Sequence, residues 1–234
     1  MNRQVNAIAG RLSLRPPQRD SLAILDRITE IVPPSKTPDV AAAMAAIQSE
    51  YSKVTDFERE FPSLCFALAT GVGKTRLMGA FIAYLHLARG INNFFVLAPN
   101  LTIYNKLIAD FTPNTPKYVF KGIAEFTTDT PEIITGDNYD QRTGGFAEFT
   151  RVRINIFNIS KINSEVRGGN APRIKRLSEY IGQSYFDSLA SLPDLVILMD
   201  ESHRYRASAG IRAINELKPM LGLELTATPF TAGR

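Results

Sequence analysis

Two short stretches carry residue types that could act on a phosphate. The first is Ala69-Thr70-Gly71-Val72-Gly73-Lys74-Thr75, which follows an apolar run over 64–68. Gly71 and Gly73 permit a tight bend that brings backbone N–H groups close to phosphate oxygens. A helix opening at Lys74 would aim its positive end at the same point. Lys74 could reach the terminal phosphates, and the Thr75 hydroxyl could ligate Mg²⁺, as in a phosphate-binding loop. The strict pattern wants glycine six positions before that lysine, and this chain has Leu68 there. The same residues could also form a plain Gly-rich turn with a solvated lysine.

The second stretch is Leu195-Val196-Ile197-Leu198-Met199-Asp200-Glu201-Ser202-His203. An apolar run here delivers two adjacent acids to a strand end. Burying such acids without a counter-charge costs about several kcal/mol, and Mg²⁺ offers one. Asp200 would hold the metal through its water shell. Glu201 would polarise an attacking water. A solvated acidic turn is the plainer alternative. The two stretches support each other, because one Mg-nucleotide needs both.

Elements of the right kind surround them. Pro16 and Pro17 delay a helix until Gln18, with Pro17 just inside its start. Leu22, Leu25, Ile28 and Ile31, with Ile24 and Val32, then form a helical stripe. Thr37-Pro38-Asp39 reads as a cap with proline at the first helical position, ahead of an Ala-rich helix. Residues 1–13 are weakly patterned. Strands are expected at 64–69, 93–98, 152–156, 195–199 and 222–225, with a short candidate at 117–120. Helices are expected over 75–88, 101–111, about 173–189 and 207–217. The segment 122–150 reads as loop with local strand, and 164–172 as an exposed loop. Apolar strands alternating with helices predict an α/β domain on a mostly parallel sheet. The loops after Ala69, Ala98, Met199 and Leu225 should then share the ligand-binding face.

Composition narrows the classes. The chain has 234 residues, 44% hydrophobic and 21% charged, with a formal net charge of +4. That suits a globular core and permits a polyanionic partner without demanding one. One cysteine and two histidines cannot build a zinc cage. Cys65 lies in an apolar run and reads as a buried small hydrophobe, in keeping with a reducing cytoplasm. No apolar run approaches the ~18 residues of a membrane span. There is no signal core, repeat, Gly-x-Ser-x-Gly element or dinucleotide fingerprint.

Asp200-Glu201-Ser202-His203 resembles motif II of superfamily 2 helicases and translocases, a variant of the DEAH box. Thr226-Ala227-Thr228-Pro229 resembles motif III, and Ala69 to Thr75 resembles motif I. Ala98-Pro99-Asn100 before a helix is similar to motif Ia. Leu14-Arg15-Pro16-Pro17-Gln18 resembles the Arg-x-x-Gln element of the restriction-enzyme branch, where tyrosine often replaces Pro17. These elements run in family order from Leu14 to Pro229. The chain most resembles the helicase domain of the restriction subunit of type III restriction enzymes.

The resemblance implies a RecA-like P-loop NTPase domain over 61–234, preceded by a helical segment over 1–60 that carries the adenine-recognition element. It implies ATP hydrolysis with Mg²⁺. Lys74, Asp200, Glu201 and His203 would be catalytic, and Thr75 and Asp200 would hold the metal. Arg15, Gln18, Thr70, Gly71, Val72, Gly73, Lys74 and Thr75 would bind nucleotide, with Gln18 reading the adenine edge. Thr226 and Thr228 would couple the ATP site to the nucleic-acid side. Pro99 and Asn100, and more faintly Asn158, Ser160 and Lys161, would approach a sugar-phosphate backbone. Arg167, Arg173, Lys175 and Arg176 read first as a solvated helix face, and His86 as structural. Implied partners are double-stranded DNA, a DNA-methyltransferase (modification) subunit and a second RecA-like domain in cis. The implied setting is the cytoplasm, with no membrane. On this reading the chain is a fragment that binds nucleotide weakly and hydrolyses it very slowly. Two alternatives stand beside it: a non-hydrolysing nucleotide-dependent binding module, and a fragment of a type I-like restriction or DNA-repair translocase.

Overall fold

The run from Leu77 to Leu85 is buried at every position, as expected of a helix enclosed on all sides. It is the middle of α4 (Lys74–Arg89), and the rest of the chain packs around it. The computed structural model describes residues 2–136, 138, 151–158, 183–205 and 208–228. Ahead of α4 come α1 (Arg3–Arg11), α2 (Pro16–Ile31), α3 (Val40–Glu50) and β1 (Ser63–Ala67). After it come β2 (Asn93–Ala98), α5 (Leu101–Phe111), α6 (Glu125–Thr128), β3 (Glu132–Thr135) and β4 (Arg153–Asn158). The last described elements are α7 (Gln183–Ser191), β5 (Leu195–Asp200), a 3₁₀ turn (Ser202–Tyr205), α8 (Ser208–Glu216) and β6 (Leu221–Thr226).

The strands form one sheet in the order β1-β6-β5-β2-β4-β3, and every described pairing is parallel. Alternation along the strands divides the core between two faces. Phe94, Val96, Val196 and Leu198 face the cluster built on α1, α2, α4 and α5. Phe95, Leu97, Ile197 and Met199 face Phe186 and Leu189 of α7, Ile214 of α8 and Leu217 just after it. Both faces are dry, so these strands are continuously apolar. Ala67 pairs with Thr226, and Leu225 with Asp200. The carboxyl ends of β1, β6 and β5 therefore lie side by side.

A polar network fastens α2 to α4. The Tyr84 hydroxyl donates to Asp26 at 2.7 Å and shares a hydrogen bond with Thr29 at 3.1 Å. Arg89 donates to Thr29 at 3.1 Å, and Asn2 donates to Asp26 at 3.1 Å. Burial pushes the Tyr84 hydroxyl up to about 12. The network joins the C-terminal halves of the two helices.

Several local expectations change. Residues 3–11 are helical, because Asn2 caps the Gln4 N–H and Val5, Ile8 and Ala9 face the core. α2 begins at Pro16, so both prolines occupy its first turn, where no intrahelical N–H is needed. Asp39, not Thr37, caps α3 by accepting from the Ala42 N–H at 2.9 Å. Residues 117–120 form turns rather than a strand. The Val119 N–H goes back to the Asp110 carbonyl at 2.8 Å, and Tyr118 bonds to Thr115. Cys65 is exposed, not buried, because β1 lies at the sheet edge and alternates buried and exposed positions. Residues 159–182, which include Ser160, Lys161, the 164–172 loop, Arg167, Arg173, Lys175 and Arg176, lie outside the described residues. So do Asp137, residues 139–150 and Pro229.

Candidate active site

The phosphate-type loop leaves the end of β1. The Leu68 N–H donates to the Thr226 carbonyl at 2.9 Å and its side chain is buried. Leu68 thus extends the β1–β6 ladder, and the loop proper starts after it. Thr70, Gly71 and Gly73 are exposed, Val72, Lys74 and Thr75 half-buried. Gly71 and Gly73 have φ of 82° and 94°, in the left-handed region that glycine tolerates without steric cost. Gly73 caps α4, and Lys74 is its first residue. The start of α2 grips the loop. Arg15 donates to the Gly71 carbonyl at 3.2 Å, and Gln18 donates to the Gly73 carbonyl at 2.9 Å. The Gln18 carbonyl accepts the Arg15 N–H at 2.8 Å. A Cβ on Gly73 would lie 2.8 Å from the Gln18 amide nitrogen.

The acids sit where β5 ends. Asp200 is buried, and its carboxylate accepts the Glu201 N–H at 3.1 Å. Glu201 has φ of 51°, a left-handed conformation that costs a residue with a side chain about 1–3 kcal/mol. That turn takes the chain out of the sheet and into the 3₁₀ turn. Lys74 donates a hydrogen bond to the Glu201 carboxylate, forming a half-buried ion pair. His203 Nδ1 lies 3.5 Å from the same carboxylate. It also lies 3.1 Å from the Thr226 hydroxyl and 3.2 Å from the Thr228 hydroxyl. The Thr228 N–H donates to the Thr226 hydroxyl at 3.1 Å.

The two acids differ in electrostatics. Burial raises Asp200 above the usual carboxylate range, and the Lys74 charge only partly offsets this. For Glu201 burial also pushes up, but the Lys74 hydrogen bond and charge outweigh it, and the net direction is down. Asp200 thus calls for a further cation, whereas Glu201 is held ionised.

The donors suit Mg²⁺. Among the described residues no three His, Cys, Asp or Glu side chains converge as a cage. A threonine hydroxyl and a buried carboxylate are hard oxygen donors, and Mg²⁺ typically pairs few such ligands with waters and phosphate oxygens. Thr75 and Asp200 share a neighbourhood. Lys106 of α5 donates to the Thr75 hydroxyl at 2.7 Å, and its charge is felt at Asp200.

The structure therefore gathers Arg15, Gln18, the loop from Thr70 to Thr75, Asp200, Glu201, His203, Thr226 and Thr228. Others have tasks within the fold. Asn100 caps α5 through the Ile103 N–H at 2.9 Å, and Pro99 is buried. Asn158 is buried at the end of β4, in register with Ala98. His86 pairs with Asn92 at 2.9 Å and packs on Phe126. Two relationships escaped the sequence reading. Lys106 reaches Thr75 only through the packing of α4 and α5, and its local signal is the Lys106–Asp110 pair one helical turn apart. Arg59 is buried against Glu224 of β6 at 3.2 Å, and a charge inside an apolar strand was the available sign.

A family model described as type III restriction enzyme, res subunit (ResIII) matches residues 12–231. No curated protein matches this chain. Among solved structures, the Sulfolobus solfataricus SWI2/SNF2 ATPase core in complex with dsDNA is similar with a TM-score of 0.50 at 14% identity. That match covers 92% of this chain and 32% of that one. A nuclease-deletion mutant of the Type ISP restriction-modification enzyme LlaGI, in complex with a DNA substrate mimic, matches with a TM-score of 0.44 at 14% identity. It covers 78% of this chain and 16% of that one. The chain thus spans about a third or less of the length of either structure. With the parallel sheet, the first likeness shows a RecA-like α/β fold.

Proposed function

Because this chain belongs to the family of type III restriction enzyme res subunits, we propose that it is the ATP-binding part of a DNA translocase motor, and that residues 61–234 form its first RecA-like domain. The observation that carries the reading is the Lys74–Glu201 pair, which joins the phosphate-type loop to the acidic strand end. The reaction is attack of water on the γ-phosphorus, forming a new P–O bond as the bond to the β-phosphate oxygen breaks. Gly71 and Gly73 shape the cradle, and Lys74 leaves Glu201 to engage the phosphates. Glu201 then polarises the water. Thr75 and Asp200 would hold Mg²⁺, which would supply charge neutralisation at the phosphates. Arg15 and Gln18 steady the loop from the side of the adenine. His203, Thr226 and Thr228 transmit the state of Glu201 towards bound nucleic acid.

Double-stranded DNA is the proposed track, supported by the complex in which the Sulfolobus relative is described. A second RecA-like domain in cis would supply an arginine worth on the order of 10³–10⁵ in rate in related P-loop enzymes. A methyltransferase subunit and a cytoplasmic setting fit the family. Among the described residues no helix is long and apolar enough to cross a membrane. Titration with a fluorescent ATP analogue and Mg²⁺ tests the reading. Lys74→Ala should weaken binding at least ~10-fold, and unchanged affinity would overturn the phosphate cradle.

A further inference from the structure

Lys106 has no part in the reaction described above, yet its ammonium touches a proposed metal ligand. It donates to the Thr75 hydroxyl at 2.7 Å and to the Asp110 carboxylate at 2.9 Å. We propose that Lys106 gates the metal: its ammonium and the divalent cation compete for the Thr75 hydroxyl, so the metal seats only when Lys106 withdraws onto Asp110. The proposal rests on the nucleotide reading of the loop.

Three observations support exclusion of one cation by the other. Mg²⁺ binds its oxygen ligands at about 2.0–2.1 Å, and the ammonium lies 2.7 Å from the same oxygen. Both cannot hold that hydroxyl without close like-charge contact. The Lys106 charge also reaches Asp200, so it opposes a second cation at both expected ligands. Finally, withdrawal needs no new partner. Asp110 already accepts from Lys106, its side chain is nearly buried, and the Lys106 side chain is half exposed and able to swing. The gate belongs to α5, whose first turn is capped by Asn100, so metal seating becomes sensitive to the position of that helix.

The test compares binding of a fluorescent ADP analogue in MgCl₂ and in EDTA, with thermal melting to confirm folding. Lys106→Met keeps the stem and removes the charge. The ratio of affinity in Mg²⁺ to affinity in EDTA should rise at least ~5-fold, and half-saturating Mg²⁺ should fall about 10-fold. Lys106→Arg should keep the parent ratio. Asp110→Asn, which removes the retreat, should lower it. A parent that binds the analogue and a Lys106→Met variant with the same or a lower ratio would overturn the gate alone. A parent that binds in neither buffer would overturn the nucleotide reading and the gate with it.

Discussion

Lys74 of the loop after β1 is hydrogen-bonded to Glu201 of the turn after β5. The ammonium suited to a terminal phosphate is thus held by the carboxylate suited to polarise water. On the proposed reading, bound nucleotide would exchange one anion for another on the same lysine.

Glu201→Gln follows from that exchange. A neutral amide releases Lys74 more readily, so ATP affinity should be retained or rise by about 3- to 10-fold. Hydrolysis should fall by at least ~10². Equilibrium binding and steady-state phosphate release read the two effects. Unchanged release would remove Glu201 from the chemistry.

Gly73 is held in two ways. Its φ of 94° disfavours any side chain, and a Cβ would press on the Gln18 amide at 2.8 Å. A left-handed conformation costs a residue with a Cβ about 1–2 kcal/mol. Gly73→Ala should therefore lower stability by at least ~1 kcal/mol in denaturant unfolding and weaken nucleotide binding as well. A variant as stable as the parent would mean that the turn can relax.

Thr226 is fully buried, and its hydroxyl meets both His203 and the Thr228 N–H. Thr226→Val keeps the volume and deletes those bonds, whose partners are the half-buried His203 and the exposed Thr228. A loss of about 0.5–1.5 kcal/mol is expected, with nucleotide affinity within about 3-fold of the parent. Loss of binding with unchanged stability would instead put Thr226 in direct contact with the ligand.

Alkaline pH tests the link between α2 and α4. Tyr84 is raised to about 12 in the folded chain by burial, against about 10 in an unfolded one. A raised folded value stabilises fully below the unfolded pKa, and that contribution is lost as pH rises through the folded one. Stability should therefore fall between about pH 10 and 12, and Tyr84→Phe should lose less over that interval. Parallel losses in the two proteins would exclude the hydroxyl as the cause.

The geometry of the candidate site was largely legible because it is local. Gly71, Gly73 and Lys74 need neighbours only two or three residues away, and the run into Asp200 marks a strand buried on both faces. Residues 93–98 and 101–111 were legible too, since Pro99 and Asn100 separate a continuous apolar run from a periodic one. What escaped depends on distant packing. The Val119 N–H could have joined a strand, but the Asp110 carbonyl takes it. Lys106 looks like one half of a surface pair until α4 brings Thr75 beneath it. Cys65 sits in an apolar run, yet only the strand order reveals that β1 is an edge.

That edge has a practical consequence. Cys65 is the sole thiol in the chain and is exposed, five residues ahead of Thr70 where the loop begins. A maleimide dye would label the natural sequence at one defined position, and its emission could follow closure of the loop on nucleotide. The same exposure makes the protein prone to oxidative cross-linking between molecules, which Cys65→Ser should abolish on a non-reducing gel.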